Sequence, residues 1–153
     1  SDAGYFMCNV NVIKQTTACT FLGLNSGFNH LIRPMFYDAY HRVENISNPN
    51  GDKKLYNIVG YICETDTFAN DRILNEARKN DLIVFYNAGA YCFSMASNYN
   101  MRARPAEVLW YKGKAHLISR RETFEDLKRN YLEIDIFAKN YQWNVLVKEI
   151  EQL

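Results

Sequence analysis

The chain has 153 residues, of which 48% are hydrophobic and 23% charged, and its formal net charge is +1 at pH 7. This length suffices for one domain with its own core, and the composition is typical of a globular protein. A charge so close to zero excludes the basic surface of nucleic-acid-binding or polybasic membrane-binding proteins. The apolar runs are too short to cross a bilayer, and the first residues show no signal-peptide pattern, so we expect a cytoplasmic protein.

Short apolar stretches separated by turn residues dominate the chain. In the first of them, Phe6, Cys8, Val10 and Val12 alternate with polar neighbours, which predicts a half-buried strand. Further strands are predicted in "ACTFLGLN" (18–25), "LYNIVGYI" (55–62) and "DLIVFYNAG" (81–89). The stretch "EVLWYKGKAHLISR" (107–120) predicts a hairpin that turns at Lys112, Gly113 and Lys114.

Helical patterns are fewer and lie mostly toward the end of the chain. Pro34 disfavours helix before it, so we predict a short turn and then a strand after this proline. A helix is predicted in "ETFEDLKRNYLEI" (122–134), where Thr123 precedes an acidic first turn, and another in residues 141–153. The whole pattern predicts one mainly β domain over residues 1–153, an antiparallel barrel or sandwich with short helices near the C-terminus.

The four cysteines have no paired spacing. Cys8, Cys19, Cys63 and Cys92 form no CxxC motif, and the three histidines supply no pairs of zinc ligands. A disulfide scaffold is not expected in a chain this rich in aliphatic residues. We therefore predict reduced cysteines and no metal site.

One cysteine stands beside carboxylates. The sequence "CETD" places Cys63 next to Glu64 and close to Asp66, and neighbouring negative charge disfavours a thiolate. Such a thiol is poorly suited to act as a nucleophile or metal ligand, but it suits an acid that keeps its proton. From these residues alone, a buried structural cysteine is at least as good an explanation.

Two other stretches carry candidate binding residues. Arg33 and Tyr37 are four residues apart, so a guanidinium and a phenol are available to bind one carboxylate, although a lone arginine is more often a surface residue with its own ion pair. Gly89 precedes Tyr91 in a polar loop, where a glycine lets the backbone approach a ligand closely. A tight turn with a core tyrosine explains that stretch equally well.

Taken together and in order, these stretches resemble the C-terminal domain of diaminopimelate decarboxylases, which are pyridoxal-phosphate-dependent enzymes. The resemblance covers roughly residues 5–127. It is carried by "FLGLNSGFNHLIRPMFYDAYH", "IVGYICETDTFANDR", "DLIVFYNAGAYCFSMASNYNMRARPAEVL" and "LISRRETFEDL". It implies a carboxy-lyase of lysine biosynthesis that converts meso-2,6-diaminopimelate to L-lysine and CO2.

The resemblance also implies an arrangement of domains and subunits. Enzymes of this family place pyridoxal 5'-phosphate in an N-terminal (β/α)8 barrel, and two subunits build each active site at their interface. We therefore expect the barrel to be absent from these 153 residues and the isolated chain to be inactive. Its expected partners are its own barrel, a second identical subunit and the small-molecule substrate, with neither nucleic acid nor membrane.

Five residues match functional positions of the family. By this resemblance Cys63 is the proton donor, while Arg33, Tyr37 and Glu64 bind substrate. Tyr91 is implied to contact both substrate and cofactor. A proton donor is chemically required, because the carbon that loses CO2 must be protonated. Glu64 suits the distal ammonium of diaminopimelate, and Arg33 with Tyr37 suits its distal carboxylate.

One departure and several alternatives stay open. The family usually has one more small residue before the aspartate of "CETD", so the conformation of this loop is an open question. A related decarboxylase of ornithine or arginine type is one alternative function. A non-catalytic homologue that binds a protein partner, or an independent β module that binds small molecules, is another.

Overall fold

The computed structural model describes residues 2–132. Eight strands, two short α-helices and two 3-10 turns follow one another along this part of the chain. They are β1 (Phe6–Gln15), β2 (Thr20–Leu24), α1 (Arg33–Tyr37), β3 (Val43–Asn45), β4 (Lys53–Val59), β5 (Thr67–Asn75), β6 (Leu82–Phe85), the 3-10 turns Phe93–Met95 and Tyr99–Met101, β7 (Glu107–Tyr111), β8 (Lys114–Ser119) and α2 (Phe124–Lys128). The predicted helix at 141–153 lies outside the described residues.

Six of the strands form one sheet in the order β3-β6-β1-β2-β4-β5. Its pairs are antiparallel except β2 and β4, which run parallel. The end strands β3 and β5 approach each other, so the sheet nearly closes into a barrel. The predicted mainly β, largely antiparallel class is confirmed, and β2 and β4 form the one parallel pair among the described strands.

The core fills the inside of this sheet. Alternation in β1 turns Phe6, Cys8 and Val10 inward, as predicted. Val12 was expected to face inward as well, but it is exposed, because the pairing register with β2 shifts between Val10 and Val12. The least exposed apolar side chains lie on the central strands and just after β2: Val10, Leu22, Leu24, Leu31, Ile58, Ile83 and Phe85.

The prediction of a turn and a strand after Pro34 is wrong at its start, because α1 includes this proline. Pro34 lies in the first turn of α1, where its missing N–H leaves no helical hydrogen bond unmade. The helix ends at Asp38, whose φ of 51° is left-handed and whose N–H donates to the carbonyl of Arg33. Residues 43–45 then form the strand β3.

The predicted hairpin and the helix that follows it are confirmed. β7 and β8 pair antiparallel as a separate two-stranded sheet. Lys112 and Gly113 form the turn with φ values of 48° and 73°, as a tight two-residue hairpin turn requires. Thr123 and Asp126 form a capping box at the start of α2, which is shorter than predicted.

The structure contains no α-helix of the length and apolar character that a membrane span requires, within residues 2–132.

Candidate functional site

The loop between β4 and β5 carries Cys63 and Glu64 at its tip, and both are exposed. Buried Asp66 anchors this loop: its two carboxylate oxygens accept the N–H groups of Phe28 at 2.8 Å and Ile62 at 2.9 Å. Burial raises the pKa of Asp66, and the two backbone donors oppose that rise. The aspartate therefore acts on the backbone beneath the tip rather than at the tip itself.

Two glycines make room for this carboxylate. A Cβ atom on Gly60 would lie 2.1 Å from Oδ2 of Asp66, and one on Gly27 would lie 2.4 Å from the same atom. Side chains at either position would displace the anchor. In this conformation the "CETD" loop presents Cys63 outward, despite being one residue shorter than the family pattern.

Glu64 joins two donors across the loop tip. Cys63 Sγ lies 3.3 Å from Oε2, and the hydroxyl of Tyr99 donates to Oε1 at 2.5 Å. The Tyr99 hydrogen bond is the main cause that lowers the pKa of Glu64, followed by donors in its own loop. Glu64 is therefore held ionised, and the thiol of Cys63 points its proton at a carboxylate.

Tyr99 was not predicted from the sequence, where the loop after Gly89 was recognised only as polar. It belongs to the 3-10 turn Tyr99–Met101, and its ring packs on Phe28 with centroids 5.5 Å apart. The partners Tyr99 and Glu64 are 35 residues apart. The only sequence signal for this residue is an aromatic side chain within a polar loop, "SNYN".

Arg33 and Tyr91 form the second part of the candidate site, and Tyr37 lies on the same helix as Arg33 without a described contact to either. The guanidinium of Arg33 lies over the ring of Tyr91, 5.8 Å from its centroid, which is cation–π geometry. Tyr91 is 61% exposed and has a φ of 60°, so a strained backbone presents its phenol outward. Tyr37 ends α1, is also exposed, and packs edge-on against Phe36.

A cleft of about 470 Å³ lies between α1 and the start of β5, and none of the five predicted site residues lines it. Pro34, Met35 and Asp38 line it from α1, while Thr65 and Thr67 line it beside the Cys63 loop. The structure thus brings Arg33 next to Tyr91 and Cys63 next to Glu64, and it places α1 and the Cys63 loop around one cleft.

Gly89, two residues before Tyr91, packs against the chain's own backbone. A Cβ on Gly4 would lie 2.2 Å from the Cα atom of Gly89, and the carbonyl of Gly4 accepts the N–H of Ala88. The close approach at Gly89 is therefore made by the chain's own backbone. This packing fixes the segment just before Tyr91.

The other polar groups near the site are structural. Buried His30 is held between Ser26 Oγ at 2.8 Å and the carbonyl of Ala103 at 3.0 Å, and burial lowers its pKa. Cys92 donates to the carbonyl of His30, and burial raises the pKa of its thiol to about 12. Burial likewise raises the pKa of Cys8, so Cys63 is the cysteine exposed for chemistry.

No group of three or more His, Cys, Asp or Glu side chains suited to a metal ion occurs in the described part of the chain. All four cysteines are free thiols. Among the predicted site residues, Tyr91 offers a cofactor phosphate or ring an exposed phenol beside a cationic side chain. It offers a single contact, so these residues fit one edge of a cofactor site rather than a complete one.

Comparison with known proteins identifies the family to which this chain is similar. The family model described as "Pyridoxal-dependent decarboxylase, C-terminal sheet domain" matches residues 1–89, more than half of the chain. Diaminopimelate decarboxylase of Methanothermobacter thermautotrophicus is 44% identical over 130 residues, which are 84% of this chain and 30% of that protein. The enzyme of Campylobacter jejuni is 42% identical over 82% of this chain and 31% of its own length. The chain thus spans about 30% of the length of these relatives.

Solved structures show the same fold. Diaminopimelate decarboxylase from Methanocaldococcus jannaschii superposes with a TM-score of 0.83 and 37% identity, covering 88% of this chain and 31% of that one. The Helicobacter pylori enzyme in complex with L-lysine gives a TM-score of 0.77 and 32% identity, covering 84% and 32%. A lysine/ornithine decarboxylase from Vibrio vulnificus, 20% identical with a TM-score of 0.59 over 65% of this chain and 27% of that one, shares the fold alone. The chain therefore belongs to the pyridoxal-dependent decarboxylases and represents their C-terminal sheet domain.

Proposed function

We propose that this chain is the C-terminal domain of a diaminopimelate decarboxylase, which converts meso-2,6-diaminopimelate to L-lysine and CO2. The observation that carries the proposal is the exposed Cys63–Glu64 pair, held at a loop tip by a buried aspartate. The thiol of Cys63 donates a hydrogen bond to Glu64 at this exposed tip, and a decarboxylase needs a positioned proton donor. The curated relatives of 42–44% identity are named diaminopimelate decarboxylases.

The proposal includes parts that lie outside this chain. Since the chain spans about 30% of its relatives' length, we assign the rest to an N-terminal (β/α)8 barrel that holds most of the pyridoxal 5'-phosphate. Two such subunits would pair, with Cys63 reaching the site of the other subunit. A biosynthetic enzyme of this kind works in the cytoplasm, where four free thiols stay reduced.

The chain's own residues take distinct roles in this proposal. When bound, pyridoxal phosphate supplies the electron sink that makes decarboxylation possible. Cys63 donates the proton to the carbon that has lost CO2, and its exposure at the loop tip allows that contact. Tyr91, presented by a left-handed backbone, contacts cofactor and substrate.

The remaining residues select the substrate. Glu64 is ionised and binds the distal ammonium of diaminopimelate. Arg33, together with Tyr37, binds the distal carboxylate. Ornithine has no distal carboxylate, so an arginine stacked on Tyr91 at the rim of the site would have nothing to bind there. This favours diaminopimelate over ornithine.

The test is Cys63→Ala in the full-length enzyme, with Cys19→Ala as the matched control. We expect Cys63→Ala to reduce lysine formation from meso-diaminopimelate at least a hundredfold, the usual contribution of a positioned acid, while the cofactor absorbance stays unchanged. Cys19→Ala should keep its activity, because this partly buried thiol lies at the start of β2 beside Thr16. Unchanged lysine formation by Cys63→Ala would refute the proton-donor role. Lysine formation by the 153-residue chain alone would refute the assigned barrel.

A further inference from the structure

We propose that Tyr99 is a positioning residue that holds Glu64 in the orientation needed to pair with both Cys63 and the substrate. The inference rests on the proposed function for its catalytic meaning, but its geometric basis is independent. The Tyr99 hydroxyl and the Cys63 thiol each contact a different oxygen of the Glu64 carboxylate. With both oxygens engaged, the rotation of this carboxylate is fixed.

Tyr99 can hold Glu64 in place because it is itself anchored. Its ring packs against Phe28, and the backbone N–H of Phe28 donates to the buried carboxylate of Asp66. The same Asp66 holds the N–H of Ile62, directly before Cys63. The buried carboxylate of Asp66 therefore supports both partners: it binds the backbone under the Glu64 loop, and it binds the backbone of Phe28, on which Tyr99 packs.

The turn that carries Tyr99 is fixed on its far side as well. The side-chain amide of Asn98 donates to the carbonyl of Arg102 and to the carboxylate of Glu122, which also pairs with Arg104. Asn100 and Met101 have φ values of 55° and 56°, an uncommon backbone for residues other than glycine. The hydrogen bonds of Asn98 therefore restrain the turn that carries the phenol, and the uncommon backbone beside it is one that the surrounding structure must impose.

The electrostatics of the tip agree with this geometry. The titratable groups that face Glu64 are Tyr99 from the 3-10 turn, Cys63 from the same loop, and Asp66 below the tip. Tyr99 is the largest contributor to the lowered pKa of Glu64. Loss of the Tyr99 hydroxyl should therefore raise the pKa of Glu64. More of the carboxyl would then be protonated in acidic solution, and it would bind a substrate ammonium less tightly.

The experiment uses Tyr99→Phe, which removes the hydroxyl but keeps the ring on Phe28, with Tyr111→Phe on the exposed hairpin as control. In the 153-residue chain, carbon-13 NMR should show the Glu64 carboxyl titrating at higher pH in Tyr99→Phe and unchanged in Tyr111→Phe. In the full-length enzyme, kcat/KM for meso-diaminopimelate should fall about tenfold, mainly through KM, and the acidic limb of its pH profile should move to higher pH.

Two results would contradict the positioning role of Tyr99. An unchanged Glu64 titration in Tyr99→Phe would overturn the inference, and so would a shifted titration with unchanged kcat/KM. If Tyr99→Phe does not fold, Phe28→Leu replaces it. That variant keeps the phenol but loosens its support, and it should shift the titration in the same direction. If the Glu64 titration shifts but the wild-type full-length enzyme forms no lysine, the proposed function fails while the hold of Tyr99 on Glu64 stands.

Discussion

The six-stranded sheet and the β7–β8 hairpin place apolar side chains in opposite ways. Leu22, Ile58 and Phe85 of the sheet are 0% exposed, whereas Trp110 and Leu117 of the hairpin are 71% and 65% exposed. The hairpin has β-forming residues and a well-suited turn, but nothing covers it within residues 2–132. In the described part of the chain, the sheet therefore combines strand pairing with an enclosed core, whereas the apolar side chains of the hairpin are paired but uncovered.

The largest expected effect comes from truncating the sheet's core. Ile58→Ala removes a fully buried side chain at the centre of the barrel, and the cavity left behind should lower the free energy of unfolding by about 2–5 kcal/mol. Trp110→Ala is the matched hairpin variant, and it should change stability of the 153-residue chain by less than about 0.5 kcal/mol. Urea unfolding followed by circular dichroism measures both values. Equal losses in the free energy of unfolding would show that Trp110 is packed in solution as tightly as Ile58. The hairpin and the sheet would then not differ in burial.

A smaller loss is expected at the end of the sheet that supports the Cys63 loop. Asp66→Ala leaves the N–H groups of Phe28 and Ile62 without their acceptor, which should lower the free energy of unfolding by about 1–3 kcal/mol. Asp52→Ala, in an exposed loop before β4, serves as the control and should be near neutral in the same urea experiment. A neutral Asp66→Ala would mean that water replaces the carboxylate without difficulty.

The smallest effect is a pH dependence at the junction between sheet and hairpin. His30 binds the carbonyl of Ala103, just before β7, and burial holds its pKa below the usual value of 6.5. The folded chain therefore takes up this proton less readily than the unfolded chain, so His30 contributes full stability above pH 6.5 and loses it as pH falls through the folded pKa. One such proton gives a slope below about 1.4 kcal/mol per pH unit.

Thermal unfolding of wild type and His30→Gln between pH 7.5 and 5 measures this contribution as the difference between their free energies of unfolding. The pH dependence of that difference should correspond to about one proton. The difference in stability between the two chains should shrink on acidification, because glutamine does not titrate. A constant difference across this range would show that folding does not lower the pKa of His30.

Features set by neighbouring residues were predictable from the sequence. The hairpin turn at Lys112 and Gly113 and the capping box of Thr123 depend on contacts within a few positions. α1 was missed because Pro34 was treated as a barrier, although it occupies the first turn, where proline is tolerated.

β5 was missed for a different reason. Phe68 and Ala69 are both buried although they are consecutive, and Asp71 has a φ of 52° with its N–H bound to the side chain of Asn57. These irregularities break the alternation that identifies a strand. Only the pairing with β4 makes the segment regular enough to recognise.

The candidate site shows the same division. Cys63 and Glu64 are adjacent in the sequence, so their association needed no fold. Glu64 meets Tyr99, and Arg33 meets Tyr91, only because the chain folds. These partners are far apart in the sequence, so no local pattern predicts their contacts. That Arg33 and Tyr37 share one carboxylate stays a prediction.

The left-handed backbone at Tyr91 has a consequence for how this chain can be improved. A non-glycine residue at a φ of 60° stores roughly 1 kcal/mol or more of strain, which glycine would relieve. Selection for heat resistance alone would therefore favour loss of this aromatic ring. Screening variants only for melting temperature would therefore select a more stable domain that has lost the tyrosine we propose to contact cofactor and substrate. Position 91 should be held fixed in any such library.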